Sequence, residues 1–180
     1  LPFIVVGLRI GATIGLINTV VAEIYLASSG LGGLINAYRA EHGLPPAPLS
    51  PSLGQVARAH ARDLARNRPD RDGCSMHSWS DAGDWTPVCY TPDHARAAKM
   101  WSKPAELTDY QGRGFEIAWR GGFGQVWPRS ALSGWEHSPA HNAVILERGD
   151  WSNADWKAMG VGVSGTYAVV WFGKRDDPAG

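Results

Sequence analysis

The sequence predicts an α+β domain, and three observations carry that prediction. Apolar residues recur at helical spacing between about Gly33 and Asn67, a turn-rich stretch fills the middle, and the chain ends in two β-rich runs joined by a two-residue turn. With 180 residues the chain is long enough for one domain with a sizeable core. A composition of 44% hydrophobic and 19% charged residues belongs to globular chains rather than disordered ones. Seventeen basic residues balance seventeen acidic ones, so the cationic face that neutralises phosphates is missing and nucleic-acid binding is set aside. No internal repeat interrupts this reading.

Residues 1–30 form a separate zone. From Leu1 to Ala27 the chain is almost entirely Leu, Ile, Val, Gly and Ala, with Arg9, Asn18 and Glu23 among the few polar interruptions. Ile10 to Val21 followed by Ala22 fits the apolar stretch and small residue of a secretion signal. A membrane anchor is the alternative, although Arg9 breaks the one stretch long enough to span. An amphipathic core helix fits less well, because the polar residues share no helical face. Membrane contact is expected only through this segment, if it stays attached.

The folded region, residues 31–180, begins with two helices. Leu34, Ile35, Tyr38 and His42 recur on one side of the first, with Asn36, Arg39 and Glu41 opposite and Gly43 as the stop. Pro45, Pro46 and Pro48 hold an extended linker. Ser50-Pro51 then supplies an N-cap and a first-turn proline for the second helix. Its stripe is Leu53, Val56, Ala57, His60, Ala61 and Leu64, with Arg58, Arg62, Asp63 and Arg66 outside. His60 is read as a satisfied core histidine rather than a ligand.

Between Asn67 and Gln111 turn signals such as Arg68-Pro69-Asp70 and Asp72-Gly73 dominate, interrupted by one helical stretch from Asp93 to Trp101. Cys74 and Cys89 bracket part of it. A disulfide between them would close a ring of about 15 residues, worth roughly 3 kcal/mol in the chain-entropy model. Two free thiols or half a metal site are the alternatives, but the spacing does not match the close pairs of zinc ribbons. Near the C-terminus, Met159 to Val163 and Thr166 to Phe172 flank the Ser164-Gly165 turn as a hairpin. The alternation of small and large residues in those runs suits a sheet covered on both faces.

Candidate chemistry rests on His77, Glu116, His137 and His141. His137 and His141 stand four apart, yet Pro139 lies between them, and Ser138 replaces the glutamate that a zincin requires after its first histidine. Gly121-Gly-Phe-Gly124 lacks the flanking strand, lysine and spacing of a phosphate loop. Trp79, Trp85, Trp101, Trp119 and Trp127 lie in or beside the loop-rich middle, where exposed aromatic faces can hold a lipid or stack on a glycan. For each of them singly, core packing is the favoured role.

An ordered set of motifs carries a family resemblance. Leu34-Ile-Asn-Ala-Tyr-Arg-Ala-Glu-His-Gly-Leu44, Ala59-His-Ala61, His77-Ser78, Gly114-Phe-Glu-Ile-Ala118, Trp135-x-x-Ser-Pro-Ala-His141 and Gly160-Val-Gly-Val163 together resemble the CAP superfamily of cysteine-rich secretory, antigen 5 and pathogenesis-related proteins. The resemblance spans about residues 31 to 173. It implies a three-layer α-β-α sandwich with a mainly antiparallel sheet and a secreted, extracellular protein. A cleft holding zinc or another divalent metal is also implied.

By position, His77 and His141 match the two cleft histidines and are the expected metal ligands. An ungapped overlay puts Phe115 where the family has glutamate, leaving Glu116 as a candidate catalytic acid whose face is one strand step away. The second family glutamate corresponds to Ser138. The resulting expectation is a monomer that acts by binding a small lipid, sterol, glycan or other cell-surface ligand. Metal-dependent hydrolysis in the same cleft is the alternative.

Overall fold

The computed structural model describes residues 30–122, 124 and 126–180. The leader or anchor expected over residues 1–30 lies almost wholly outside them, as does Phe123 of the glycine-rich stretch. Among the described residues, no helix is long and apolar enough to cross a membrane.

Helix α1, residues 30–41, buries Leu31 and Ile35 and ends at Gly43, whose φ of +75° is the left-handed stop that glycine takes without strain. Arg39 departs from its expected outer position: it is fully buried, donating to Ile145 O and Pro45 O and pairing with Glu147 at 2.6 Å. Periodicity could not reveal that, because two of its partners lie more than a hundred residues away. Asn36 binds Ala47 through both backbone groups and so fixes the proline linker, which meets the sheet at the Leu49–Met159 bridge.

Helix α2, Pro51–Asn67, starts as expected. The Ser50 hydroxyl accepts from Leu53 N, and Pro51 occupies the first turn. The carboxylate of Asp177 adds bonds to Ser50 Oγ, Ser52 N and Ser52 Oγ, tying the C-terminal tail to the positive end of this helix. The predicted stripe is buried. Asp63 is buried as well, a second departure, because it accepts from Ser80 N, Ser80 Oγ and Asn67 Nδ2.

Strands β1 (Gly114–Arg120), β2 (Ala158–Ser164) and β3 (Tyr167–Gly173) form an antiparallel sheet in the order β1-β3-β2. The pleat sends successive residues to opposite faces. Ala168, Val170 and Phe172 meet Leu31, Ile35, Trp135 and Ile145, whereas Tyr167, Val169 and Trp171 meet α2 and Trp79. Two cores separated by one sheet make the three-layer α-β-α sandwich. The small residues of β2 explain how closely α2 approaches: a Cβ on Gly160 would lie 2.0 Å from the Leu53 carbonyl carbon, and one on Gly162 2.2 Å from that of Ala57.

The remaining helices are short. Helices α3 (Ala97–Trp101) and α4 (Lys103–Leu107) belong with the α2 layer; the helix expected from Asp93 thus begins only at Ala97. On the opposite layer, α5 (Pro128–Glu136) and α6 (Pro139–Ile145) are separated where Pro139 begins a new first turn. Helix α5 packs against β1, with Trp135 Nε1 donating to Ala118 O at 3.1 Å.

Candidate functional site

Three segments distant in sequence meet around Glu116. It sits on β1 opposite Trp171, on the face that looks toward α2, while Phe115 points the other way into the Trp151–Trp156 cluster. One strand step therefore separates the family's acid position in the overlay from the carboxylate this chain presents. Glu116 is 7% exposed and both its oxygens are engaged. Oε2 lies 3.4 Å from His77 Nδ1, and Oε1 lies 2.8 Å from His60 Nδ1.

His60 projects from α2, fully buried, and its ring stacks on Trp79 at 4.2 Å with planes 8° apart. Its Nε2 faces Ser78 O at 2.9 Å; since a carbonyl only accepts, Nε2 carries hydrogen. The 2.8 Å approach of Nδ1 to a carboxylate oxygen then requires a proton in that contact, because two lone pairs at this distance repel. The contact is electrostatic more than directional, as the N–H does not aim squarely at the oxygen.

His77 belongs to the irregular segment that the Cys74–Cys89 disulfide closes, with Cα atoms 5.1 Å apart. The Trp79–Val88 bridge and the Tyr90 N–Ser78 Oγ bond hold the same ring from inside. Tyr90 packs edge-on against the His77 ring at 5.4 Å.

His141 reaches the site from the first turn of α6, half-buried. His137 does not join it: that residue ends α5, exposed, with Nδ1 on Ser133 O. The break at Pro139 thus sends two histidines of helical spacing to different places. Glu136 contributes only its backbone carbonyl, which accepts from Asn142 Nδ2.

Electrostatics make the imidazoles of His77 and His141 unequal. Burial raises the Glu116 pKa, but the electrostatic contact with His60 and the hydrogen bond from His77 outweigh it and hold the carboxyl at about 2. For His77, burial opposes the charged form, and the bond and charge of Glu116 more than compensate, so its pKa is raised. His141 is lowered, by burial first and then by the His77 charge, with Glu116 giving partial relief. The charges of His77 and Glu116 both act on His141, which therefore lies within electrostatic range of that pair.

The donor set bears on the implied metal. His77 Nδ1 is occupied by Glu116, so its other nitrogen and the imidazole of His141 are what this site can offer an ion. Among the described residues, no three or more His, Cys, Asp or Glu side chains come close enough together to hold one. Two imidazoles completed by water suit a loosely held, exchangeable ion rather than a four-ligand structural zinc. His60 is the residue that sequence reasoning undervalued, because its burial was legible and its grip on Glu116 was not.

The tryptophans divide as follows. Trp79 is buried, Trp85, Trp101 and Trp119 are half-buried, and Trp127 is 64% exposed. Trp119 lies against Gly134 of α5 and helps line a shallow groove of about 520 Å³ with Arg129, Ser130, Ser133 and His137.

Comparison with known proteins agrees with this architecture. A profile of the cysteine-rich secretory protein (CAP) family matches residues 33–86. No curated protein matches the sequence. Among solved structures, an outer surface protein from Borrelia burgdorferi superposes with a TM-score of 0.54 at 18% identity, covering 82% of this chain and 92% of that one. An extracellular protein containing a SCP domain from Bacillus anthracis gives 0.56 at 19% identity, over 83% of this chain and 40% of its own. A cysteine-rich secretory protein from Staphylococcus aureus gives 0.52 at 17% identity, over 84% and 39%. The chain therefore spans about two fifths of the length of the latter two proteins. The chain is therefore similar to the cysteine-rich secretory protein (CAP) family over its first two helices and the loop bearing His77, and it shares the fold of these solved structures.

Proposed function

We propose that the chain is a CAP domain that works outside the cell as a binding module for a small lipid or sterol, with a divalent ion as an optional occupant of a His77–His141 cleft. One observation carries the choice of binding over turnover: Glu116 has both carboxylate oxygens committed, one to each of two imidazoles. A carboxylate so held neither activates water nor completes a metal's ligand set. The extracellular assignment is supported by the Cys74–Cys89 disulfide, which persists in oxidising compartments. Structural neighbours described as an outer surface and an extracellular protein support it further.

For ligand contact, the exposed Trp127 at the start of α5 and the Trp119 groove along the same helix offer aromatic surface beside hydroxyls. Capture by vesicles of phosphatidylcholine with cholesterol, compared with vesicles lacking the sterol, is the direct test. The reading expects capture that survives chelator and His141→Ala but falls with Trp127→Ala. No capture by either vesicle would refute it, and binding to an oligosaccharide panel instead would redirect it to glycans.

A second reading, a metal-dependent hydrolase, is favoured by one feature: Glu116 orients His77 as a carboxylate orients a metal-bound imidazole. There His77 and His141 would hold the ion, which would supply an activated water near neutral pH. Turnover in a panel of ester, peptide and phosphate substrates, abolished by chelation and by His141→Ala, would establish it over binding.

A further inference from the structure

We propose that His60 is the positioning residue of the cleft, setting the tautomer and orientation of His77 by holding both of that residue's supports. His60 reaches the segment from two sides at once. Its Nε2 donates to the carbonyl of Ser78, the residue that follows His77, at 2.9 Å. Its Nδ1 lies 2.8 Å from the Glu116 oxygen that His77 does not use. Stacking on Trp79 and full burial in α2 confine its ring plane.

The consequence follows from hydrogen-bond chemistry. An ionised carboxylate only accepts, so the His77 nitrogen facing Glu116 must be the one that carries hydrogen, leaving the lone pair of Nε2 for whatever enters the cleft. At 3.4 Å the His77–Glu116 contact is long, and its direction depends on the carboxylate being held still from the other side. His60 does that holding. Remote supports of this kind commonly set the affinity of a histidine for its ion. The effect on metal rests on the cleft reading above, whereas the effect on the His77 tautomer does not.

The test uses the full chain and two substitutions. His60→Phe keeps a ring against Trp79 and removes both polar contacts; His60→Gln restores an amide with two N–H groups to donate. Nitrogen-15 spectra of the imidazoles without metal should show wild-type His77 with hydrogen on Nδ1, a mixture of tautomers in His60→Phe, and the wild-type state in His60→Gln. Zinc titration should show affinity about 10- to 100-fold weaker in His60→Phe, recovered in His60→Gln.

A purely structural role would lower the melting temperature of His60→Phe and leave tautomer and affinity unchanged, which would overturn the proposal. If His60→Phe fails to fold, His60→Asn, too short to reach both partners, takes its place: a mixture of His77 tautomers upholds the proposal and the wild-type state overturns it. Failure of the wild-type chain to bind zinc would count against the metal site alone, since the tautomer measurement needs no ion.

Discussion

Replacing Glu116 with glutamine should alter how stability depends on pH, and the size of the change can be worked from its surroundings. The carboxyl is held at about 2 against an ordinary 4.5, which corresponds to about 3 kcal/mol favouring the folded state when the group is ionised. Because the folded value lies below the unfolded one, this stabilisation is complete above about pH 4.5 and disappears as pH falls toward 2. Glutamine cannot ionise, and it leaves the buried ring of His60 without its carboxylate partner. Breaking a buried pair from one side costs roughly 3–5 kcal/mol, which agrees with the first figure. Urea unfolding followed by tryptophan fluorescence, at steps from pH 7 to pH 2, should therefore show the variant about 3 kcal/mol less stable at neutrality and the two curves converging in acid. A gap that stays constant across that range, or no gap at pH 7, would refute the assignment of Glu116 as a buried ionised partner of His60.

Three further outcomes are expected. Gly162→Ala pushes a methyl to within 2.2 Å of the Ala57 backbone, so α2 must shift off β2 at a cost of about 1–3 kcal/mol, read as a lower urea midpoint. Replacing Cys74 and Cys89 together with serine removes about 3 kcal/mol of cross-link stabilisation, and the wild-type chain should lose the same amount on reduction while the double variant does not respond. Zinc affinity should strengthen as pH rises through the raised pKa of His77 and weaken toward pH 5, where a proton holds that imidazole; equal binding at about pH 8 and about pH 5 would place the ion elsewhere.

What the sequence made legible was local. The Ser50-Pro51 cap, the stripe of α2, the Gly43 stop and the closing hairpin each depend on residues within a few positions of one another, and each is found where the spacing puts it. A helical wheel assigns Arg39 and Asp63 to solvent because it carries no knowledge of Glu147 or Ser80, whose contacts exist only after the layers assemble. The site shows the same division. His77 and His141 are legible through ordered motifs. The side chain of Glu116 is not, because strand parity decides its face and an overlay that errs by one residue inverts the answer. His60 is legible for its apolar neighbours, and those are real; its polar contacts come from two segments that only the sheet and the disulfide loop bring to it.

That loop ties the position of His77 to covalent chemistry. Residues 74–89 include no helix or strand, so the position of His77 depends on cross-ties, among them the disulfide, the Trp79–Val88 bridge, the Asp63–Ser80 bonds and the grip of His60 on Ser78. The last three comprise five hydrogen bonds, two in the bridge, two at Asp63 and one from His60, each worth about 1 kcal/mol net. The disulfide restrains the chain by about as much as three such bonds together. A cleft assembled from a loop of this kind is most sharply defined where thiols stay oxidised. The same bond that supports an extracellular setting also makes the geometry of His77 and Glu116 dependable there.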